Sequence, residues 1–281
     1  MLSLLKRYFA FLLTLLLLTA RTAFAQDSFE RALAKKLDSM GKEQNTKTAE
    51  NILSPDDAST TLTIPSGFGG YGAAVFGGVG GIYPQVYTRK PDLIASAGFC
   101  VGDPTKAVNF SISGNIQNVS ELNNYSLNFT VSRNLGRGTS ISAGGLQLFT
   151  SRLHTDAPGY TIFFAVSHAV QQLASETDGA SKLTYTIGVG TGRFYRKSAD
   201  DIKAGRGKHG TGLFGGVAYE IIHHVNMSAE WSGVNLGAGL SARPFTYPVA
   251  LGLAVVNLTR YSAEKPGFIA TLGLPLSLTN R

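Results

Sequence analysis

Basic residues concentrate in one stretch of the chain, from Arg193 to His209. Six basic side chains lie there against two acidic ones, Asp200 and Asp201, so the stretch carries a formal charge of +4. The basic residues are Arg193, Arg196, Lys197, Lys203, Arg206 and Lys208. Guanidinium and ammonium groups bind phosphates and attract smaller anions. The stretch therefore predicts contact with lipid phosphates or steering of small anions, and the alternative is a solvated loop without a binding role.

A second polar group lies further along the chain, at spacings that place its members on one face of successive strands. Glu220 precedes a tight turn at 222–224, which would set Asn226 opposite Glu220, and a short hairpin would then set Arg243 opposite Asn226. Glu230 follows on the same face. Enclosed charges need a partner or water. We therefore predict a polar row of Glu220, Asn226, Glu230 and Arg243 that either fixes the strand register or contributes to solute selectivity.

Residue types that could support catalysis or metal binding are present without a supporting arrangement. Ser167 and His168 are adjacent, and neighbouring side chains in a strand point to opposite faces. The vicinal pair His223 and His224 has no carboxylate at ligand spacing after it. Cys100 is the single cysteine, which excludes an intramolecular disulfide and a zinc site built from several thiolates. We expect no catalytic, cofactor or metal site, and no enzymatic activity.

The elements that position these residues are short segments with a period of two. In the last of them, Phe268, Ala270 and Leu272 share one face, while Thr271 and Gly273 share the other. Such alternation predicts antiparallel strands. Twelve segments are expected, with ten as the alternative: 71–82, 93–101, 107–116, 124–133, 139–150, 159–170, 182–193, 210–221, 225–234, 236–243, 248–259 and 267–278.

The polar faces of these segments consist mainly of Ser, Thr, Asn and Gly instead of charged residues. Small uncharged residues opposite an apolar face are typical of a transmembrane β-barrel, in which lipid contacts one face and the lumen the other. The barrel must close, because an open edge would leave backbone groups unpaired in the bilayer. We predict an all-β fold, a closed antiparallel transmembrane barrel over residues 61–281. A soluble secreted β-sandwich is the alternative.

The first 25 residues have the features of a secretory signal peptide. Lys6 and Arg7 precede an apolar stretch too short to span a bilayer, and Ala23 and Ala25 form a small-x-small cleavage site. These residues also carry three of the seven excess positive charges of the chain, which leaves +4 for the exported part. Export and the lack of an aromatic stacking platform argue against nucleic acid as a partner, and we expect none.

Residues 26–60 form a polar segment that differs from the rest of the chain. Asp27 and Glu30 make a helix start, Leu33 and Leu37 follow at helical spacing, and Gly41 ends the pattern. We predict one short amphipathic helix, which would contact the barrel, a partner or a membrane surface. The segment could fill the barrel as a plug, or it could be a spacer.

Residues 61–281 resemble a bacterial outer-membrane β-barrel protein. The stretches PSGFGGYGAAVFGGVGG (65–81) and WSGVNLGAGLSARPF (231–245) are similar to barrels of cyanobacterial type. The resemblance implies contact with outer-membrane lipid and with the outer-membrane assembly machinery. It also implies that both termini face the periplasm and that the longer loops lie outside. The family usually ends on an aromatic residue, and this chain departs from that pattern at Arg281.

These observations lead to two functional hypotheses. The first is a passive channel or small-solute transporter in the bacterial outer membrane, because small lumen residues leave space inside a barrel of intermediate width. The second is a closed structural or surface-anchoring barrel, in which the N-terminal helix and the basic outer loop do the work. The solute and the oligomeric state are not specified by the sequence.

Overall fold

The computed structural model describes residues 52–55, 60–83, 92–119, 123–150, 159–244, 248–263 and 265–279. The predicted signal peptide and the helix predicted after Asp27 lie outside these residues. Among the described residues, no helix has the length and apolar character needed to cross a membrane.

Twelve strands form one closed barrel, which confirms the predicted fold and strand count and excludes the sandwich. Neighbours in the chain pair antiparallel, and the last strand pairs with the first barrel strand to close the ring. The barrel strands are β2 (Ala74–Tyr83), β3 (Asp92–Gly102), β4 (Asn109–Asn118), β5 (Asn123–Gly136), β6 (Thr139–Leu148), β7 (Thr161–Ala169), β9 (Leu183–Gly190), β10 (Leu213–Ile222), β11 (Val225–Trp231), β12 (Leu236–Ala242), β13 (Ala250–Val256) and β14 (Gly267–Ser277).

Four short elements of the described residues lie outside the barrel wall, and one of them is a 3-10 turn at Gly192–Phe194. Strands β1 (Ser54–Pro55) and β8 (Ala180–Ser181) form a separate parallel pair. The helix α1 (Ala199–Lys203) lies in the connection between β9 and β10, and Ser198 and Asp201 form a capping box at its start.

The two faces of the wall differ as the period of two predicts. Ile187, Leu253 and Phe268 point outward and are 62%, 61% and 63% exposed. Their inward neighbours are small or polar, and Thr186 and Ala254 are buried. Burying such an apolar outer band in acyl chains removes a large apolar area from water, as in transmembrane barrels.

The barrel has two ends, defined here by the chain. At the proximal end, β2 begins and β14 finishes, and the connection that contains β8 lies there. At the distal end lie the connections from β9 to β10, β11 to β12 and β13 to β14. The connection from β9 to β10 is the basic stretch identified in the sequence.

Residues 61–73, the inner segment, lie inside the barrel before β2 begins. Ile64 from this segment is 5% exposed and packs in an apolar cluster within the lumen. The other members are Phe163, Ala165, Phe194 and Phe214. Residues 61–73 therefore lie in the lumen and are not part of the wall. The first wall strand begins at Ala74, whereas the sequence predicted a start at Tyr71.

Candidate functional site

A single carboxylate holds the inner segment in the lumen. Oε1 of Glu230 accepts a hydrogen bond from the backbone N–H of Leu62 at 2.6 Å, and Oε2 accepts one from the N–H of Thr63 at 2.7 Å. The Thr63 hydroxyl donates to the same Oε2. Glu230 is 3% exposed, so these hydrogen bonds to a charged acceptor are shielded from water and are of the stronger kind.

Hydroxyl groups on two neighbouring strands hold the next part of the inner segment. The N–H of Gly67 donates to Oγ of Ser167 on β7 at 2.7 Å, and Oγ of Ser142 on β6 donates to the carbonyl of Ser66 at 2.7 Å. A Cβ at Gly67 would lie 2.5 Å from the Ser140 carbonyl oxygen, so no other residue fits there without displacement. The backbone of the inner segment is thus in direct contact with strands β6 and β7 at Gly67.

The segment also contacts the opposite wall. A methyl group of Leu62 lies against Gly239 of β12 and another against Gly252 of β13, where a wall side chain would clash. Further along, Gly70 lies against Cys100 of β3. The inner segment therefore crosses the lumen from the β12–β13 wall to the β3 wall.

Two cavities of the lumen are lined by both Thr63 and Arg193. The wall cavity, of about 380 Å³, lies between the inner segment and the strands β4 to β7. The mouth cavity, of about 240 Å³, lies at the distal end. The wall cavity has a polar side formed by Asn109, Ser111, Thr130 and Ser132, and an apolar side formed by Ile64, Pro65, Phe68, Leu146 and Phe163.

Arg193 sits where the two cavities meet. Its backbone N–H donates to Oγ1 of Thr161 at 3.0 Å, and its guanidinium carbon lies 5.7 Å from the centre of the Phe194 ring. The side chain is exposed to the lumen although the barrel surrounds it. Desolvation by the surrounding protein lowers the pKa of Arg193, and the Glu230 carboxylate opposes this effect. Of the basic side chains, Arg193 is the one that lines both of these cavities.

The basic stretch folds over the distal end. Nζ of Lys197 donates to the carbonyls of Arg206 at 2.9 Å and Tyr261 at 2.7 Å, and it lies 3.6 Å from the centre of the Tyr261 ring. Asp201 is 1% exposed and accepts a hydrogen bond from the N–H of Ala263. These contacts join the stretch to the connection between β13 and β14.

The six basic side chains predicted to form one outer patch are therefore divided. Arg193 lines both lumen cavities, Arg196 lines the mouth cavity, and Lys197 is buried. The remaining three, Lys203, Arg206 and Lys208, are exposed. The alternative of a wholly solvated loop is incorrect for Lys197, because its ammonium group has carbonyl partners within the fold.

The predicted polar row needs one correction. Glu220 pairs with Asn226 in the register of β10 and β11. Ser241, however, is the partner of Asn226 on β12, and Arg243 lies beyond the strand, where its N–H donates to the His224 carbonyl at 3.0 Å. The connection from β11 to β12 is longer than the two-residue hairpin on which the prediction rested, and it moves the register by two residues.

The acidic members of the row lie at opposite ends of the lumen. Glu220 is at the proximal end, where Oε1 accepts from the N–H of His224 at 3.3 Å and lies 3.9 Å from Nδ1 of His223. Glu230 lies near the distal end of β11, on the inner segment. Sequence reasoning identified Glu230 as a lumen charge, but nothing in the sequence indicated that its partners are backbone amides.

The serine and histidine side chains point as strand geometry requires. Oγ of Ser167 faces the lumen and lies 2.6 Å from Oγ1 of Thr186, while His168 is on the other face, with Nδ1 2.8 Å from Oγ1 of Thr139. Within the described ranges, no group of three His, Cys, Asp or Glu side chains could hold a metal ion.

Comparisons with known proteins show similarity in fold. No family model and no curated protein matches the sequence. Among solved structures, the KdgM porin in complex with disordered oligogalacturonate is 10% identical, with a TM-score of 0.41, over 73% of this chain and 99% of that chain. Outer membrane phospholipase A from Escherichia coli is 11% identical, with a TM-score of 0.38, over 73% of this chain and 90% of that chain.

A third structure, the Salmonella typhi outer membrane phospholipase dimer with bound calcium, is 10% identical, with a TM-score of 0.38, over 73% of this chain and 90% of that chain. A porin and phospholipases are thus similar to the chain at the same low level. The closed twelve-stranded wall with its apolar outer band defines the class, and the fold is that of a bacterial outer-membrane β-barrel.

Proposed function

We propose that this protein is a small-solute channel of the bacterial outer membrane, exported by its N-terminal signal peptide and constricted by the inner segment. The observation that carries the proposal is the pair of hydrogen bonds from the backbone of Leu62 and Thr63 to the Glu230 carboxylate. These bonds hold the inner segment in a defined position across the lumen. In this arrangement the proximal end faces the periplasm, and the basic stretch meets lipid phosphates and small anions outside.

Two features favour a lumen through which a solute can pass over a lumen that is filled by side chains. The wall cavity and the mouth cavity lie on successive levels of the lumen and share Thr63 and Arg193. The lumen wall beside the wall cavity carries hydroxyl and amide groups, such as Ser111 and Thr130, which can replace the hydration of a passing solute. The inner segment would then set the width of the path.

Two truncations of the exported protein test the channel. Removal of residues 26–60 leaves the inner segment in place, whereas removal of residues 26–70 takes out its contacts with Glu230, Ser142 and Ser167. In planar bilayers we expect a single-channel conductance near that of the full exported chain for the first variant and a severalfold larger one for the second. A change in gel mobility on boiling confirms that each barrel has folded.

The apolar cluster inside the lumen favours a second function, a closed structural or surface-anchoring barrel. Ile64 packs there with Phe163, Phe194 and Phe214, as in the interior of a filled barrel. A folded barrel that does not conduct after removal of residues 26–70 would contradict the channel and support this alternative. Lost binding of a surface partner by the variant that lacks residues 26–60 would support an anchoring role for the N-terminal helix.

A further inference from the structure

We propose that the lumen selects small organic monoanions, with the carboxylate of the solute on Arg193 and its apolar body in the wall cavity. This inference rests on the proposed channel function and names the solute class of that channel.

The first step is the availability of Arg193. Its guanidinium makes no hydrogen bond or ion pair with any other residue in the described part of the chain, and it borders both lumen cavities. Lys197, by comparison, is occupied by two carbonyl groups and the Tyr261 ring. A planar guanidinium that projects into lumen water can bind a carboxylate through two parallel hydrogen bonds.

The second step is the shape and chemistry of the wall cavity. One side presents hydroxyl groups, including those of Ser111 and Thr130, and the other presents Phe68, Leu146 and Phe163. An inorganic anion would leave the apolar side in contact with water, whereas an organic body would cover it. A volume of about 380 Å³ lies at the small end of ligand pockets and suits a solute the size of one aromatic ring acid.

The third step concerns the charge of the solute. The Glu230 carboxylate acts electrostatically on Arg193, so both charges influence the same region of the lumen. The backbone N–H groups of Leu62 and Thr63 already donate to the Glu230 carboxylate. A second negative charge on the solute would lie in the same region as this carboxylate, and two like charges repel each other. A site that combines the Arg193 guanidinium with the nearby Glu230 carboxylate therefore favours monoanions over dianions.

The experiment compares solutes that differ in one property at a time. Chloride current through the exported protein is measured with added benzoate, with phthalate as the dianion and with benzyl alcohol as the neutral analogue. Benzoate is expected to reduce the current in a saturable way, with at least a severalfold lower half-blocking concentration than either analogue. Equal potency of benzyl alcohol would show that the apolar cavity alone is responsible, which would overturn the inference.

Substitution of Arg193 assigns the effect to its guanidinium. R193Q is expected to raise the half-blocking concentration of benzoate by about tenfold, as for loss of a charged hydrogen-bond pair, and R193K is expected to restore part of it. K265Q removes an exposed positive charge at the distal end, outside the basic stretch, and should leave the block unchanged. If R193Q and K265Q behave alike, the site is not at Arg193.

A binding measurement separates this inference from the channel proposal. Fluorine NMR of fluorobenzoate with the folded protein in detergent reports binding whether or not the barrel conducts. If the protein conducts but benzoate neither blocks the current nor binds, the proposed solute class is overturned and the channel proposal stands. Binding that depends on Arg193 in a barrel that conducts neither before nor after removal of residues 26–70 would retain the site and overturn the channel.

Discussion

Glu230 is the residue on which the position of the inner segment depends most directly. E230Q removes the charge but keeps the size, and a neutral amide has one oxygen to accept where the carboxylate has two. Hydrogen bonds to charged groups contribute about 1.5–3 kcal/mol and neutral ones about 0.5–1.5 kcal/mol, so the segment should leave the lumen more often. We expect more frequent steps of high conductance in planar bilayers.

The control for this variant is E176Q, which removes an exposed carboxylate at the proximal end. Its current record should match that of the unmodified protein, because Glu176 has no contact with the inner segment among the described contacts. Identical records for E230Q and E176Q would contradict the role given to Glu230.

Gly67 is the position where the inner segment approaches the wall most closely. In G67A the new methyl group would overlap the Ser140 carbonyl and the Ser167 backbone nitrogen, which an ideal Cβ would approach to 2.5 and 2.6 Å. Overpacking of this kind costs about 1–3 kcal/mol. We expect a lower midpoint of urea unfolding or, if the segment yields instead of the wall, a raised conductance. G114A, at an outward position where a Cβ would lie at an ordinary contact distance of 3.9 Å from a Leu127 methyl group, should show neither change.

At the scale of elements, the sequence predicts the strands well because each has a buried and an exposed face. All twelve predicted segments overlap strands of the barrel. The period of two is imposed by the pleat and by the contrast between lumen and lipid, both of which act residue by residue.

The inner segment could not be predicted in the same way. Its partners are the Glu230 carboxylate and the Ser167 hydroxyl, 167 and 100 residues along the chain from Thr63 and Gly67. From Leu62 to Gly67 its backbone pairs with wall side chains, and only near its end does Gly72 donate to the Gly102 carbonyl of β3, so it carries no regular period. The sequence carries one weak signal for this segment, which is the run rich in glycine after Pro65. The backbone approaches the wall closely at these glycines.

The connection between β9 and β10 is the element that covers the distal end, and Lys197 joins it to the connection after β13. K197M removes the donor to the carbonyls of Arg206 and Tyr261. Leaving these groups without their partner costs about 1–3 kcal/mol locally, so the connection should open more often. We expect faster trypsin cleavage after Lys203 and Arg206 than in the unmodified protein, measured by mass spectrometry of the fragments.

K208M is the matched variant, because it also removes one lysine and one trypsin site from the same connection while its side chain is exposed. Its cleavage after Lys203 and Arg206 should be unchanged. Equal rates in the two variants would show that Lys197 does not hold the connection in place.

At the scale of the whole molecule, the outer band sets the stability of the barrel in lipid. Leu253 lies near the middle of β13 and points outward, 61% exposed in the isolated barrel. L253R would place a guanidinium at the depth of acyl chains, which costs about 2–4 kcal/mol near the bilayer midplane. We expect a corresponding loss in the free energy of unfolding, measured by urea titration in lipid vesicles.

Leu258 provides the comparison, since it follows the end of β13 at the distal end of the barrel. L258R should cost about 0–1 kcal/mol because the charge would lie near the water interface. Equal losses for the two variants would contradict the placement of β13 across the bilayer.

The path of the chain around the inner segment bears on how the lumen could open. Strand β2 begins at the proximal end, so the inner segment leaves the lumen at that end, directly before the first wall strand. In the described part of the chain, every wall strand pairs with wall strands on both sides, so residues 61–73 do not interrupt the wall. Withdrawal therefore breaks the contacts with Glu230, Ser142 and Ser167 but leaves the seam of β2 and β14 intact, so a bound and a withdrawn state can exchange without refolding of the barrel.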